Sequence, residues 1–303
     1  MNKIPPYLKK GDTIGITCPS GYMEAAKAQT CIHTLQSWGY EVMVGKTLGS
    51  KSKTYFSGSD EERCNEMQAM LDNPEIKAIL CGRGGYGLSR IIDSLDFTLF
   101  KKYPKWIIGF SDITVLLAHL HRQLNIASLH APMAAAFNNR GAEKPYVQSL
   151  RRALKGVKTN YSCKSHAFNR IGICSGELIG GNLAMIAHLV GSKSAYQTKN
   201  KILFIEDVGE YIYNIDRMMI QLKRAGMLDQ LSGLIIGKFT DTKPTVRPFG
   251  QKVYQLIQAH LADYDYPVSY EFPVSHETEN YALKVGVMHQ LRITPKNVSL
   301  KEL

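Results

Sequence analysis

The chain reads as an α/β protein of two domains, an N-terminal parallel sheet flanked by helices and a C-terminal mixed α/β domain with terminal antiparallel strands. Three observations predict this. Short apolar runs alternate with helical patterns through the first half, the signature of parallel strands joined by helices. A basic, polar stretch at 151–172 interrupts the periodicity. Beyond it the alternation resumes, and the chain closes on strand-like runs. The domains are accordingly placed at 1–150 and 173–303, with 151–172 as linker.

Taken in order, Thr13–Thr17 predicts a strand, stopped by Pro19-Ser20-Gly21, and residues 24–38 carry helical periodicity. Strands follow at 41–44, 78–81, 106–108 and 127–130. Helices are predicted at 61–71, ending at Asn73-Pro74, and at 112–124. In the second half a helix is predicted at 182–190. A buried strand at 201–207 ends in Glu206-Asp207, and a helix at 211–225 stops at Gly226. A strand at 234–239 and a helix at 249–262 precede strands at 268–272, 284–294 and 298–300.

The 303 residues are 44% hydrophobic and 21% charged, enough to bury sizeable cores. No run approaches the roughly 18 apolar residues of a membrane span. The opening Met1-Asn2-Lys3-Ile4-Pro5-Pro6 lacks the apolar heart of a secretory signal. The expectation is a cytoplasmic protein without a membrane partner. Its six cysteines form no CxxC pair and no zinc-finger spacing, so free thiols are expected. The net charge of +11 is spread as pairs such as Lys9-Lys10, Lys101-Lys102 and Arg151-Arg152. With no nucleic-acid motif and no basic stripe interleaved with aromatics, no nucleic-acid partner is expected; the charge reads first as solvated surface, and an anionic substrate is compatible with it.

Four patterns could carry chemistry. In Trp106-Ile107-Ile108-Gly109-Phe110-Ser111-Asp112 an apolar strand runs into a turn and a helix begins. A serine there can be held exposed beside helix N-terminal amides that stabilise an oxyanion. The GxSxG elbow is incomplete, since Ile113 replaces its second glycine, and from these residues alone Ser111 reads first as a plain helix N-cap. Gly82-Arg83-Gly84-Gly85-Tyr86-Gly87 matches GxGxxG. It follows the third strand rather than the first, and the acidic residue wanted about 20 positions on is missing. A tight loop, or one offering backbone N–H groups to an anion, remains. Glu206-Asp207 sits at a strand end, where α/β sites gather, or caps the next helix. His276 follows Phe272-Pro273-Val274 in a loop and could serve as a general base. Glu277 and Glu279 beside it lack the HExxH spacing of a zinc site.

Together these residues resemble the LD-carboxypeptidase family of serine peptidases, which includes the microcin-immunity hydrolases. The landmarks run nearly the whole chain: Gly11-Asp12-Thr13-Ile14-Gly15-Ile16, Arg83-Gly84-Gly85-Tyr86-Gly87, Gly109-Phe110-Ser111-Asp112, Leu129-His130-Ala131-Pro132-Met133, Gly176-Glu177-Leu178-Ile179-Gly180-Gly181-Asn182, Leu203-Phe204-Ile205-Glu206-Asp207, and His276 with Asn280 and Gly286.

The resemblance implies a triad of Ser111, Glu206 and His276 drawn from both halves, and an oxyanion hole from the N–H groups of Gly85 and Asp112. It implies release of terminal D-alanine from murein tetrapeptides in peptidoglycan recycling, with no metal or cofactor, by a homodimer. Arg83, Gly84 and Asn182 are the candidate substrate-binding residues, Arg83 by position only. Ser275 and Lys284 depart from the family's usual glycine and proline and leave local loop shape open. Two alternatives stand beside this reading. One is a microcin-immunity-type hydrolase of peptidyl-nucleotide conjugates, which would need an aromatic platform for the base. Trp38 and Trp106 are instead expected in the core. The other is a two-domain binding protein without turnover, which would have no use for all three triad residues.

Overall fold

The computed structural model describes residues 2–303 and divides into two compact units. The first runs to Val157 and adds Tyr281–Lys284; the second holds Lys158–Asn280 and Val285–Leu303.

The first unit contains β1 (Thr13–Thr17), α1 (Gln29–Ser37), β2 (Glu41–Val44), α2 (Asp60–Asp72), β3 (Ile76–Cys81), α3 (Leu88–Ile91), α4 (Thr98–Lys102), β4 (Trp106–Gly109), α5 (Thr114–His119), β5 (Ser128–His130) and α6 (Pro145–Leu154). The second contributes β6 (Asn160–Lys164), β7 (Gly172–Asn182), α7 (Leu183–Leu189), β8 (Lys201–Val208), α8 (Ile212–Arg224), β9 (Gly233–Thr240), α9 (Val253–His260) and β10 (Val268–Ser269). The chain then forms β11 (Leu283–Val285), β12 (Val287–Ile293) and β13 (Asn297–Glu302).

The first sheet has the order β11-β5-β4-β3-β1-β2, with β2, β1, β3, β4 and β5 mutually parallel. Its central strand β4 is buried at every residue, as a parallel strand covered on both faces must be. Helix α2 starts on a capping box: Ser59 Oγ accepts from Glu62 N at 3.1 Å, and Ser59 N donates to Glu62 Oε2 at 2.7 Å.

The second sheet has the order β10-β9-β8-β7-β12-β13-β6. Strands β7 to β10 are parallel, whereas β12, β13 and β6 pair antiparallel. In β8, Ile202 to Asp207 are buried without a break. In β12, buried Val287, His289, Leu291 and Ile293 alternate with more exposed residues, the pattern of a strand with one open face.

The two-domain α/β class is thus observed, and three local expectations change. The strand expected at 284–294 is two strands in different sheets, parted at Gly286, whose φ of 85° turns the chain. The helix expected at 112–124 is a 3-10 turn at Ser111–Ile113, then α5, then a π-helical turn at Leu120–Leu124. Residues 151–172 hold the last turn of α6 and all of β6, which pairs with β13. No helix among the described residues is long and apolar enough to cross a membrane.

Candidate active site

Two groups of predicted residues lie at the C-terminal ends of parallel strands, one in each unit, where α/β folds gather their sites.

In the first unit, β4 ends at Gly109 and Ser111 follows with φ +63°. A non-glycine residue in this left-handed region stores on the order of 1–3 kcal/mol, and such strain clusters at functional positions. Sequence dictates the turn locally. Ile113 folds back over Gly109, where a methyl would lie 2.9 Å from both of its Cγ atoms. The isoleucine that breaks the GxSxG pattern is therefore buried packing for the turn.

The glycine loop after β3 reaches the same point. A methyl at Gly84 would lie 2.8 Å from Ser111 Cβ, 3.0 Å from its Oγ and 3.3 Å from Asp112 N. Only a bare backbone fits so close to the serine. Gly85, next along, has φ +101°. Asp112 is buried, and its Oδ2 accepts from Ser20 Oγ at 2.6 Å and from Leu88 N at 2.9 Å. The side chain thus ties the turn to two neighbouring loops, while its backbone N–H is the group proposed for the oxyanion. Arg83 is exposed and donates from Nη1 to the Tyr22 carbonyl at 2.5 Å.

Sequence reasoning missed Arg63. Its guanidinium has no exposure and donates to the carbonyls of Pro19, Gly58 (3.4 Å) and Gly87 (3.1 Å) while pairing with Asp60. One side chain thereby fastens three loops, among them the end of the glycine-rich segment at Gly87. A lone arginine among α2's charged residues carries no sequence signal for that role.

In the second unit, Glu206 stands near the end of β8 with no exposure, and its Oε2 lies 2.5 Å from His276 Nδ1. A register shift between Ile205 and Asp207 accompanies this position in the β8–β9 pairing. Gly237 of β9 faces it: a methyl there would lie 2.3 Å from Val274 O and 3.0 Å from Glu206 Cβ. The His276 loop is braced. Ser275 Oγ donates to Glu279 O at 3.1 Å and accepts from Glu277 N at 3.0 Å, and Lys238 binds Glu279 at 2.9 Å. Ser275 therefore supplies a bridge within this loop. Lys284 lies in the first unit, buried, donating to Tyr7 Oη and Val157 O.

Burial works against a charged His276, yet the charge and hydrogen bond of Glu206, helped by Asp207, outweigh it and hold the imidazole pKa above its ordinary value. Asp207 is pushed up to about 7, first by burial and then by the neighbouring Glu206 charge. It accepts from Asn182 Nδ2 (2.8 Å), Ala184 N (2.9 Å) and Val208 N (2.8 Å). Asn182 also N-caps α7, its Oδ1 accepting from Met185 N at 3.1 Å. Its amide is thus engaged on both sides within the unit.

The tryptophans pack as expected: Trp106 is fully buried and Trp38 only 8% exposed. An exposed aromatic pair lies elsewhere, unforeseen. Tyr211 and Tyr213, after β8, stack at 5.2 Å, with Lys243 over the first ring and Arg217 over the second. All six cysteines are free, and burial raises the Cys18 thiol to about 12. No group of three or more His, Cys, Asp or Glu among the described residues could hold a metal ion.

The sequence model of the LD-carboxypeptidase N-terminal domain matches residues 14–131, and that of the C-terminal domain matches 175–291. The chain is 30% identical over 304 residues to a probable murein peptide carboxypeptidase of Bacillus subtilis, covering 99% of this chain and 95% of that one. It is 28% identical over 333 residues to the microcin C7 self-immunity protein MccF of Escherichia coli, covering 97% and 94%. The crystal structure of muramoyltetrapeptide carboxypeptidase from Oxalobacter formigenes superposes with a TM-score of 0.87 at 28% identity, over 96% of this chain and 98% of the other.

Proposed function

Because the chain belongs to the LD-carboxypeptidase family of hydrolases, we propose that it is a serine carboxypeptidase that releases terminal D-alanine from murein tetrapeptides during peptidoglycan recycling. The observation that carries the reading is the 2.5 Å contact of His276 Nδ1 with buried Glu206. A carboxylate at Nδ1 keeps the proton on that nitrogen and makes Nε2 the basic one, the tautomer a serine hydrolase needs.

In this mechanism His276 Nε2 takes the Ser111 proton as Oγ attacks the amide carbonyl. Glu206 orients the ring and stabilises the imidazolium. The N–H groups of Gly85 and Asp112 stabilise the oxyanion. His276 then protonates the departing D-alanine amine, and water, deprotonated by the same histidine, hydrolyses the acyl-enzyme. Neither metal nor cofactor takes part. The +11 charge favours arrival of an anionic peptide. The same reading makes the protein cytoplasmic and a homodimer.

The test is mass spectrometry of a purified tetrapeptide incubated with the native protein and with Ser111→Ala. D-alanine released only by the native protein supports the reaction and its nucleophile together. Equal release by both refutes Ser111, and release by neither refutes the murein substrate. A second reading, hydrolysis of peptidyl-nucleotides, draws support from the similarity to MccF and from the exposed Tyr211–Tyr213 pair. It predicts that Tyr211→Ala lowers turnover of such conjugates while sparing the tetrapeptide.

A further inference from the structure

We propose that Tyr55 binds substrate, its hydroxyl donating a hydrogen bond to the carboxylate of the departing D-amino acid; the assignment rests on the carboxypeptidase reading.

Consecutive glycines carry the argument. Gly84 abuts Ser111 as described, and a methyl at Gly85 would lie 2.8 Å from Tyr55 Oη. The backbone offered to the oxyanion therefore has the nucleophile against one residue and a phenol against the next. The loop that brings the phenol there is pinned: Gly21 and Phe56 form an antiparallel bridge, Tyr22 N donates to Tyr55 O at 2.9 Å, and Ser57 N donates to Ser20 O at 3.2 Å. The Tyr55 ring packs edge-on against Phe56 at 5.4 Å, and the guanidiniums of Arg63 and Arg90 lie over Phe56 in turn.

Despite this anchoring Tyr55 is 54% exposed, and its hydroxyl makes no hydrogen bond to another described residue. A ring fixed at its base with an uncommitted donor at its tip suits ligand binding. The chemistry of the ligand follows from position. With the scissile carbonyl on Ser111 and its oxygen on Gly85 N–H, the leaving group's carboxylate is separated from the scissile nitrogen by a single carbon. A neutral phenol can donate to it. Arg83 adds positive charge on the same side: a methyl at Gly21 would lie 3.8 Å from Arg83 Nε and 3.8 Å from Gly85 Cα. A donor and a cation flanking the oxyanion glycine distinguish a free carboxylate from an amide.

The experiment separates binding from turnover. Calorimetry in the Ser111→Ala background compares the tetrapeptide with its C-terminal amide, with and without Tyr55→Phe, a change that keeps the packing on Phe56. The expected result is that Tyr55→Phe weakens the acid by about tenfold or more, the effect of a hydrogen bond to a charged group, and the amide by about twofold at most. Equal losses for both peptides, as a donor to the oxyanion would give, or no loss at all, overturn the assignment while leaving the carboxypeptidase reading in place. If neither peptide binds folded Ser111→Ala protein, the carboxypeptidase reading falls, and the Tyr55 assignment with it.

Discussion

Glu206, without exposure at the end of β8, meets Nδ1 of His276 at 2.5 Å across 70 residues of sequence. Glu206→Gln keeps the shape and removes the charge. If the proposed triad operates, it should lower kcat by on the order of 10²–10⁴-fold, the range expected when a triad loses the group that sets its histidine tautomer. The His276 pKa should fall as well, because the raising influence is gone while burial remains. Steady-state kinetics with a histidine NMR titration reads both. An unchanged His276 pKa would show that Glu206 does not control the imidazole.

The pH profile follows from the same contact. As the proposed general base His276 must be neutral to accept a proton, and its pKa is raised. The acid limb of kcat/KM should therefore sit above the ordinary histidine value near 6.5, and activity should be lost as pH falls through it. In Glu206→Gln any residual acid limb should move to lower pH.

Asp207 predicts a pH dependence of stability. Its folded pKa of about 7 exceeds the usual carboxylate value of 3.8, so the folded state binds a proton more tightly than the unfolded chain. That contribution is full below pH 3.8 and is lost as pH rises through about 7. Native protein should lose stability relative to Asp207→Asn over this window, by on the order of a few kcal/mol. Urea unfolding of both proteins at pH 4, 6 and 8 measures it, and parallel curves would refute the raised pKa.

Gly84→Ala tests the bare backbone beside Ser111. The added methyl, 2.8 Å from Ser111 Cβ, must push the turn aside. A displacement of this order should cost about 10²-fold or more in kcat/KM. Thermal melting should stay close to native, since the shift is confined to one turn. Unaltered kinetics would mean that the loop yields instead of the serine.

Arg63→Met removes the buried guanidinium, so the carbonyls of Pro19 and Gly58 lose its donors and that of Gly87 keeps only Arg90 N. A loss of about 3–5 kcal/mol in unfolding free energy is expected. Denaturant titration reads it directly.

Local patterns reveal the parts of this fold that are decided locally. Strand β8 announces itself by an unbroken apolar run, and β4 by the strand-turn-helix passage into Ser111. The partners of those residues were not legible in the same way. Nothing near Glu206 in sequence points to His276; their pairing came only through the resemblance to a family. Arg63, Ser275 and Tyr55 look like ordinary polar residues because their meaning lies in carbonyls, turns and glycines far along the chain. The break between β11 and β12 was hidden for a related reason. Val285, Gly286 and Val287 continue an apolar pattern, and only the positive φ of Gly286 divides it. Strand β6 stayed invisible because its partner β13 lies at the other end of the second unit.

The placement of β11 has a consequence for biosynthesis. The first sheet is assembled from residues up to His130, yet it takes its last strand from Leu283–Val285, after the parallel half of the second sheet. On the ribosome β5 must wait as an open edge while more than half of the protein is still being made. Unpaired edges template association with other chains. A chain released before residue 283 therefore carries a sticky N-terminal unit. Premature termination should produce aggregation rather than a harmless fragment, and translation speed through the second unit sets how long that edge is exposed.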